Sequence, residues 1–462
     1  MPGKKREHVT VGFVALGCPK NMVDSEKMLA QIAEAGYWIA AETERADVVI
    51  INTCGFIQPA ELESLEAVAQ AVANKKKGRV KRVIVAGCLS QRLGDQLLER
   101  APGVDAVVGL EQRDAIAQIV RDTLATDSAR VYHGPTPCAI MDDRVRLRIG
   151  PAHSAYLRIC EGCSHQCSFC TIPAIRGPFR SKPPSLVLDE ARELAQSGAV
   201  ELNLIGQDTT LYGRDLKVKD GLAALLGEME GLPGLAWIRL LYAYPMGITD
   251  RLIETIAQSE KIVHYLDIPL QHAHDRILKA MRRPDTKADL CRLVERLRAA
   301  MSDIILRTTL IVGFPGETQD EFNALLEFVQ WAQFDALGVF PYFPEAGTPA
   351  AQFPDQVPDE VKQARLEELM LVQQEIAFAK NKQRIGSRLT CLVEDGPSPA
   401  SASQKGRAGT HDPRRAGRGR FYGQAPDIDS LCIIPKCSAP PGRFIEAKVI
   451  GTQDYDLVIE QI

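Results

Sequence analysis

At 462 residues, 45% of them apolar and 25% charged, the chain is too long for one ordinary core and too apolar to stay unfolded; at roughly 150 residues per domain it holds about three. A net charge of -4 excludes a protein-wide polyanion-binding surface, so any nucleic-acid contact is local. No apolar stretch approaches the ~20 residues that span a bilayer, and the basic start has no signal-peptide core, so a cytoplasmic protein is expected whose 12 cysteines serve metal rather than bridges.

Strands are predicted over 9–16, 47–51, 82–86 and 106–108, alternating with helices over 25–35, 60–73, 93–100 and 113–124. This is the pattern of an open parallel α/β sheet occupying 9–125. Each of the first three strands runs into a cysteine: Leu16-Gly17-Cys18, Ile51-Asn52-Thr53-Cys54 and Ala86-Gly87-Cys88. In such a sheet, ligands bind beyond the carboxyl ends of the strands. Three thiols at equivalent positions of successive units are therefore expected to converge there and hold an iron-sulfur cluster. A lone cysteine of this kind is more often a small buried residue. Gly17, Gly55 and Gly87 suit close backbone approach, and the lack of a GxGxxG after any strand makes a dinucleotide site a weak alternative.

Pro135, Pro137 and scattered polar residues mark a linker over 126–148, with Cys138 as a spectator. A second α/β series, 149–383, has predicted strands over 154–160, 200–205, 237–242, 263–268, 304–312 and 336–340. Its helices are predicted over 186–196, 221–229, 249–258, 275–282, 288–299 and 319–331. Six successive units suggest a partial barrel with its chemistry at the strand carboxyl ends. At that rim, after the first strand, stands Cys163-Ser164-His165-Gln166-Cys167-Ser168-Phe169-Cys170. Three thiolates in a CxxxCxxC loop leave one iron of a four-iron cluster free for an exchangeable partner. The competing readings are a structural zinc site completed by His165 and Cys160, which would want four ligands, and a disulfide, for which nothing suggests an oxidising compartment.

A long helix over 363–384 leads into 384–462. There, strands over 387–393, 421–422, 431–434, 444–449 and 457–459 suit a small barrel of the oligonucleotide-binding kind. The segment 397–420 is an insertion carrying Lys405, Arg407, Arg414, Arg415, Arg418 and Arg420 against one acid, Asp412. It reads first as a solvated loop and second as a salt-dependent contact to RNA. Cys291, Cys391, Cys432 and Cys437 have no metal-like spacing and read as structural.

The order of three dispersed cysteines, then CxxxCxxC with an aromatic before its last cysteine, then a small β domain resembles the methylthiotransferase subgroup of radical S-adenosylmethionine (SAM) enzymes, over nearly the full length. Within it, Ile205-Gly206-Gln207-Asp208-Thr209, Asp267-Ile268-Pro269-Leu270-Gln271-His272 and Tyr342-Phe343-Pro344-Glu345-Ala346-Gly347-Thr348 resemble the ribosomal-protein branch, RimO. The transfer-RNA branch typically has asparagine where Asp208 stands. The resemblance implies a central (βα)6 partial TIM barrel of radical SAM type and a C-terminal TRAM domain. It implies that Cys163, Cys167 and Cys170 hold a [4Fe-4S] cluster whose open iron chelates SAM, with Phe169, Gln207, Gly313 and Glu317 at the SAM pocket. Cys18, Cys54 and Cys88 would hold an auxiliary [4Fe-4S] cluster that carries or delivers sulfur. Reductive cleavage of SAM would give a 5′-deoxyadenosyl radical that takes hydrogen from the β-carbon of an aspartate of small-subunit ribosomal protein twelve, with a second SAM giving the methyl group. A monomer served by a flavodoxin or ferredoxin is expected. Methylthiolation of a transfer-RNA adenosine and a non-catalytic metal-binding module on the ribosome stay open.

Overall fold

The computed structural model describes residues 8–139, 142–396 and 416–462. Three bodies of secondary structure follow one another. The first is a six-stranded parallel sheet in the order Trp38–Ile39, Thr10–Ala15, Val48–Thr53, Arg82–Gly87, Ala106–Val108, Arg130–Tyr132. Its central strands are apolar runs covered on both faces, as a buried parallel sheet requires: every residue of Val48–Thr53 is buried. The strand order reverses between Thr10–Ala15 and Val48–Thr53, and the crevice outside the carboxyl ends at such a switch point is where open α/β sheets bind ligands. The linker expected at 126–148 is partly sheet, since Arg130–Tyr132 forms its last strand.

The second body is a six-stranded parallel sheet in strict chain order: Ser154–Arg158, Glu201–Ile205, Trp237–Leu240, Ile262–Asp267, Ile305–Val312, Ala336–Pro341. It curls into a partial barrel with one face against its helices. Leu202, Leu204, Ile238, Leu240, Leu306 and Leu310 pack into the helix-side core. The alternate residues point the other way: Ile205, Leu241, Val263, Tyr265 and Ile305 share one apolar cluster with Val23 of the first helix and with the core of the last domain. The open barrel is thus filled from two sides by its neighbours.

The third body is a closed five-stranded barrel, Arg388–Asp395, Gly417–Phe421, Cys432–Ile434, Asp456–Gln461, Phe444–Gln453, reached through the 26-residue helix Asp359–Arg384. Cys391, Cys432 and Cys437 lie buried in its core, as the structural reading expected. Gly417–Phe421 corrects one expectation: the basic insertion ends before it, and Arg420 is no surface cation. Most of the insertion lies outside the described residues, including Lys405, Arg407, Arg414 and Arg415. Arg420 is fully buried, donating to Glu201 at 2.6 and 3.2 Å and to Glu394 at 2.8 Å, while Arg239 donates to Glu201 at 3.0 Å.

These contacts lock the small barrel onto the large one. Removing one partner of a buried pair leaves the other charge uncompensated, so Arg420→Ala is expected to cost about 3–5 kcal/mol in urea unfolding. Burial alone would raise the Glu201 carboxyl, but Arg420 and Arg239 hold it at about 2 against an ordinary 4.5. The contribution is therefore complete above pH 4.5 and is lost as pH falls toward 2. Unfolding curves across that window should show a shallower acid dependence in Arg420→Ala than in the unsubstituted protein.

Candidate active site

Helix Pro19–Glu34 starts three residues after the first strand, with Cys18 as its N-cap and Pro19 supplying the preset first-turn angle. Cys54 follows Val48–Thr53 directly, and Cys88 opens the helix Cys88–Leu93 after Arg82–Gly87. The register pairs Ala15 with Asn52 and Thr53 with Gly87, which brings the three loops to one level. Gly17 and Gly87 have φ of +87° and +96°, and a Cβ on Gly17 would stand 2.7 Å from the Cys54 Cβ and 3.3 Å from its sulfur. A Cβ on Gly87 would stand 2.3 Å from Asn52 Oδ1. These glycines are required by both angle and space.

Asn21 ties the loops together. Its Nδ2 donates to Leu16 O at 3.1 Å and Thr53 O at 2.8 Å, and its Oδ1 accepts from the Cys88 thiol at 3.4 Å. Burial pushes the Cys88 thiol up to about 12 and raises Cys54, and each feels the charge of Cys18. Such thiols become thiolates only against a strong positive charge, as metal coordination provides.

The second cysteine set lies on the loop after Ser154–Arg158. Cys163 N donates to Gly177 O at 3.0 Å and Cys170 N to Cys167 O at 3.2 Å. Ser168 anchors the loop: its N donates to Met281 O at 3.0 Å, its Oγ to Ala280 O at 2.7 Å, and its carbonyl accepts from Ala350 N at 2.8 Å. Phe169 packs into a satellite core with Ile277, Met281, Phe314, Tyr342 and Ala350, so this aromatic fixes the loop's shape. Above it opens a cavity of about 500 Å³ lined by Cys163, Cys167, Cys170, His165 and Arg282 among others. Burial pushes Cys163 up to about 11 and Cys170 to about 12; Cys167 is raised too, with Arg283 opposing.

His165 also borders a larger cavity of about 610 Å³ with Asp208, Thr210, Tyr244 and Met246. Its Nε2 lies 2.6 Å from Asp208 Oδ2, and its ring stacks on Tyr244 with centroids 4.0 Å apart. Among the described residues, no three His, Cys, Asp or Glu side chains are grouped to hold a single metal ion. Cys160, the fourth ligand that a zinc site would have drafted, is fully buried with its sulfur against Gly206.

The SAM-pocket expectations fall in two groups. Gln207 Nε2 donates to Glu161 Oε1 at 2.7 Å, while its buried Oε1 has no partner; the Tyr244 and Tyr342 hydroxyls are likewise buried and unpartnered. Glu317 is otherwise engaged: it accepts from Gly313 N at 3.0 Å, Phe314 N at 3.3 Å and Arg365 Nη1 at 2.7 Å. Gly313 has φ of +70°, and its missing side chain leaves room for the stem of Lys362, 2.3 Å from where a Cβ would be. Glu317 and Gly313 thus tie the loop after the fifth strand to the helix Asp359–Arg384.

Residues outside the cysteine motifs link the elements that carry the two sets, and of these Lys20, Thr171 and Arg92 have no sequence signal. Lys20, buried, donates to Gly206 O at 3.0 Å and sits 3.1 Å from the Tyr242 ring centroid. Tyr242 itself holds the left-handed backbone, φ +58°, a strain typical of functional rims. Thr171 Oγ1 donates to Phe56 O at 3.4 Å. Glu345 accepts from Gln58 N at 2.7 Å, at the start of the helix behind Cys54, and pairs with Arg92 at 2.8 Å; Arg92 in turn donates to Gly55 O at 2.9 Å. Glu345→Ala is expected to cost about 1.5–3 kcal/mol, the range for hydrogen bonds to a charged group, measured by urea unfolding. Hydrogen exchange should quicken at residues 55–62 more than elsewhere in the sheet.

One set of three cysteines stands at the carboxyl end of a parallel sheet and another on a loop at the rim of a partial barrel, with Thr171 and Arg176 bridging from the second to the first, which is the layout of a radical SAM enzyme with an auxiliary cysteine domain. Residues 10–109 match the family described as "Uncharacterized protein family UPF0004", 157–329 the "Radical SAM superfamily" and 385–462 the "TRAM domain". The chain is similar in fold to TsrM, a radical S-adenosylmethionine methyltransferase from Kitasatospora setae (TM-score 0.54, 12% identity, 87% of this chain and 79% of that one). Full-length sequence relatives are far nearer. The "Ribosomal protein uS12 methylthiotransferase RimO" of Geobacter sulfurreducens is 44% identical, covering 98% of both chains. That of Pelotomaculum thermopropionicum is 45% identical, covering 98% of this chain and 99% of the other. The chain belongs to the RimO family of radical SAM methylthiotransferases.

Proposed function

We propose that this protein attaches a methylthio group to the β-carbon of an aspartate of ribosomal protein uS12, acting in the cytoplasm as a monomer. The observation that carries the reading is that Cys18, Cys54 and Cys88 end successive strands of one sheet, tied through Thr171 and Arg176 to the segment that directly follows Cys163, Cys167 and Cys170. The donor sets fit the groups the reading needs: all-thiol triads, and a cavity of about 500 Å³ over one of them. Cys163, Cys167 and Cys170 would hold one [4Fe-4S] cluster and Cys18, Cys54 and Cys88 the other. When bound with SAM, these groups supply hydrogen abstraction at an unactivated carbon and the sulfur to be inserted there.

The chain's own part is orientation and exclusion of water. Phe169 and Ser168 fix the loop, His165, stacked on Tyr244, stands between the cysteine cavity and its larger neighbour, and Gln207 would offer SAM a buried acceptor. Asp208, bonded to His165 and to Thr210 at 2.6 Å, shapes the side from which a target loop would enter. A flavodoxin or ferredoxin supplies the electrons, and the basic residues before 416 contact ribosomal RNA next to the substrate. The test is incubation of the reconstituted protein, SAM and a reductant with isolated uS12 and, separately, with transfer RNA. Mass spectrometry should find one methylthio group on a uS12 aspartate and none on RNA; the reverse outcome would assign the transfer-RNA activity.

A further inference from the structure

Arg176 ends the short helix Ile172–Arg176 that follows the CxxxCxxC loop, yet its guanidinium lies within the other cysteine site. One arm, Nη1, donates to Glu161 Oε2 at 3.0 Å on the barrel's first-strand loop. The other, Nη2, reaches Asn21 Oδ1 at 2.6 Å, Asp24 Oδ2 at 3.1 Å and the Cys88 sulfur at 3.3 Å. Through Asn21 the same arm is coupled to the carbonyls of Leu16 and Thr53, just ahead of Cys18 and Cys54. A single rigid, buried side chain therefore spans from the radical-site loop to all three loops of the auxiliary site.

Its charge is also accounted for. Arg113, Arg158, Arg176 and Lys182 are buried with Asp24, Asp143, Glu161 and Glu190, in a linked network of four cations and four carboxylates. Removing Arg176 alone leaves a net negative charge beside Cys88. Hydrogen bonds to cysteine sulfur, local charge and burial are what set iron-sulfur potentials, and outer partners orient the ligands themselves.

On the two-cluster reading above, we infer that Arg176 is a positioning residue that raises the reduction potential of the auxiliary cluster and fixes that cluster against the radical site. Reduction adds negative charge to a group ligated by Cys88, and the N–H donor and positive charge of Arg176 stabilise that state. Arginine suits this place because its rigid planar fork directs Nη1 to Glu161 and Nη2 to Cys88 from fixed positions, whereas an ammonium is a point charge on a flexible stem.

The experiment is an anaerobic, EPR-monitored redox titration with iron and sulfide counts on the full-length reconstituted protein, on R176K, and on the double variant R176M/D24N. The double variant removes one charge of each sign, so the buried network stays neutral. The expected result is about eight irons in each protein, an unchanged SAM-induced signal from the radical-site cluster, and an auxiliary potential that is lowest in R176M/D24N. R176K should show a smaller fall in the same direction. An auxiliary potential equal to that of the unsubstituted protein in both variants would overturn the inference. About four irons in the unsubstituted protein would instead overturn the two-cluster reading beneath it.

Discussion

Cys167→Ala is expected to reduce SAM cleavage to the level of a protein-free control. The middle cysteine of the triad stands on the loop that Ser168 and Phe169 clamp against Ala280, Met281 and Ala350, so neighbouring backbone will not shift to offer a replacement ligand. Cys160 cannot substitute, because its sulfur is packed against Gly206 on the other side of the strand end. Iron should fall from about eight to about four per chain, the count of one remaining cluster. Liquid chromatography of 5′-deoxyadenosine after addition of dithionite and SAM reads the effect. Undiminished 5′-deoxyadenosine would show that the ligand assignment is wrong.

Cys54→Ala should give the complementary result: SAM cleavage continues while no methylthio product forms on uS12. Cys54 lies buried over Gly17 and its loop makes no hydrogen bond to the CxxxCxxC cysteines themselves, only to Thr171 through Phe56. The alanine keeps the Cβ that packs over Gly17 and removes only the sulfur, so the fold should hold and the loss should be chemical. The two variants together separate the sites: one stops radical formation and the other stops sulfur insertion. Normal methylthio product from Cys54→Ala would remove the auxiliary site from the reaction.

The cysteines were legible in the sequence because each terminates a strong apolar run, and strand ends in parallel sheets are where ligands collect. What binds the two sites together was not. The first helix was expected at 25 but begins at Pro19, because its first turn is polar and apolar periodicity starts later; Lys20 and Asn21 are buried there by specific bonds, not by hydrophobicity. Proline at N1 was the available signal.

Arg176 and Arg420 look like surface charges in one dimension. Their partners Asp24 and Glu201 lie 152 and 219 residues away in the chain, and nothing periodic marks a tertiary ion pair. The strand Gly417–Phe421 falls almost wholly in the segment whose composition reads as a solvated loop, because Gly-Arg-Gly-Arg has low strand propensity. It is held by closing the barrel, with Gly419 making room for the Cys391 sulfur. Arg130–Tyr132 is three residues long, below what alternation can reveal, and exists because an edge of the parallel sheet was open to it.

The two-site arrangement is tested most directly by iron and acid-labile sulfide analysis with Mössbauer spectroscopy on protein purified without oxygen. About eight irons per chain, all in [4Fe-4S] environments and falling to about four in Cys54→Ala as in Cys167→Ala, is the predicted result. About four irons in the unsubstituted protein, unaffected by Cys54→Ala, would contradict it.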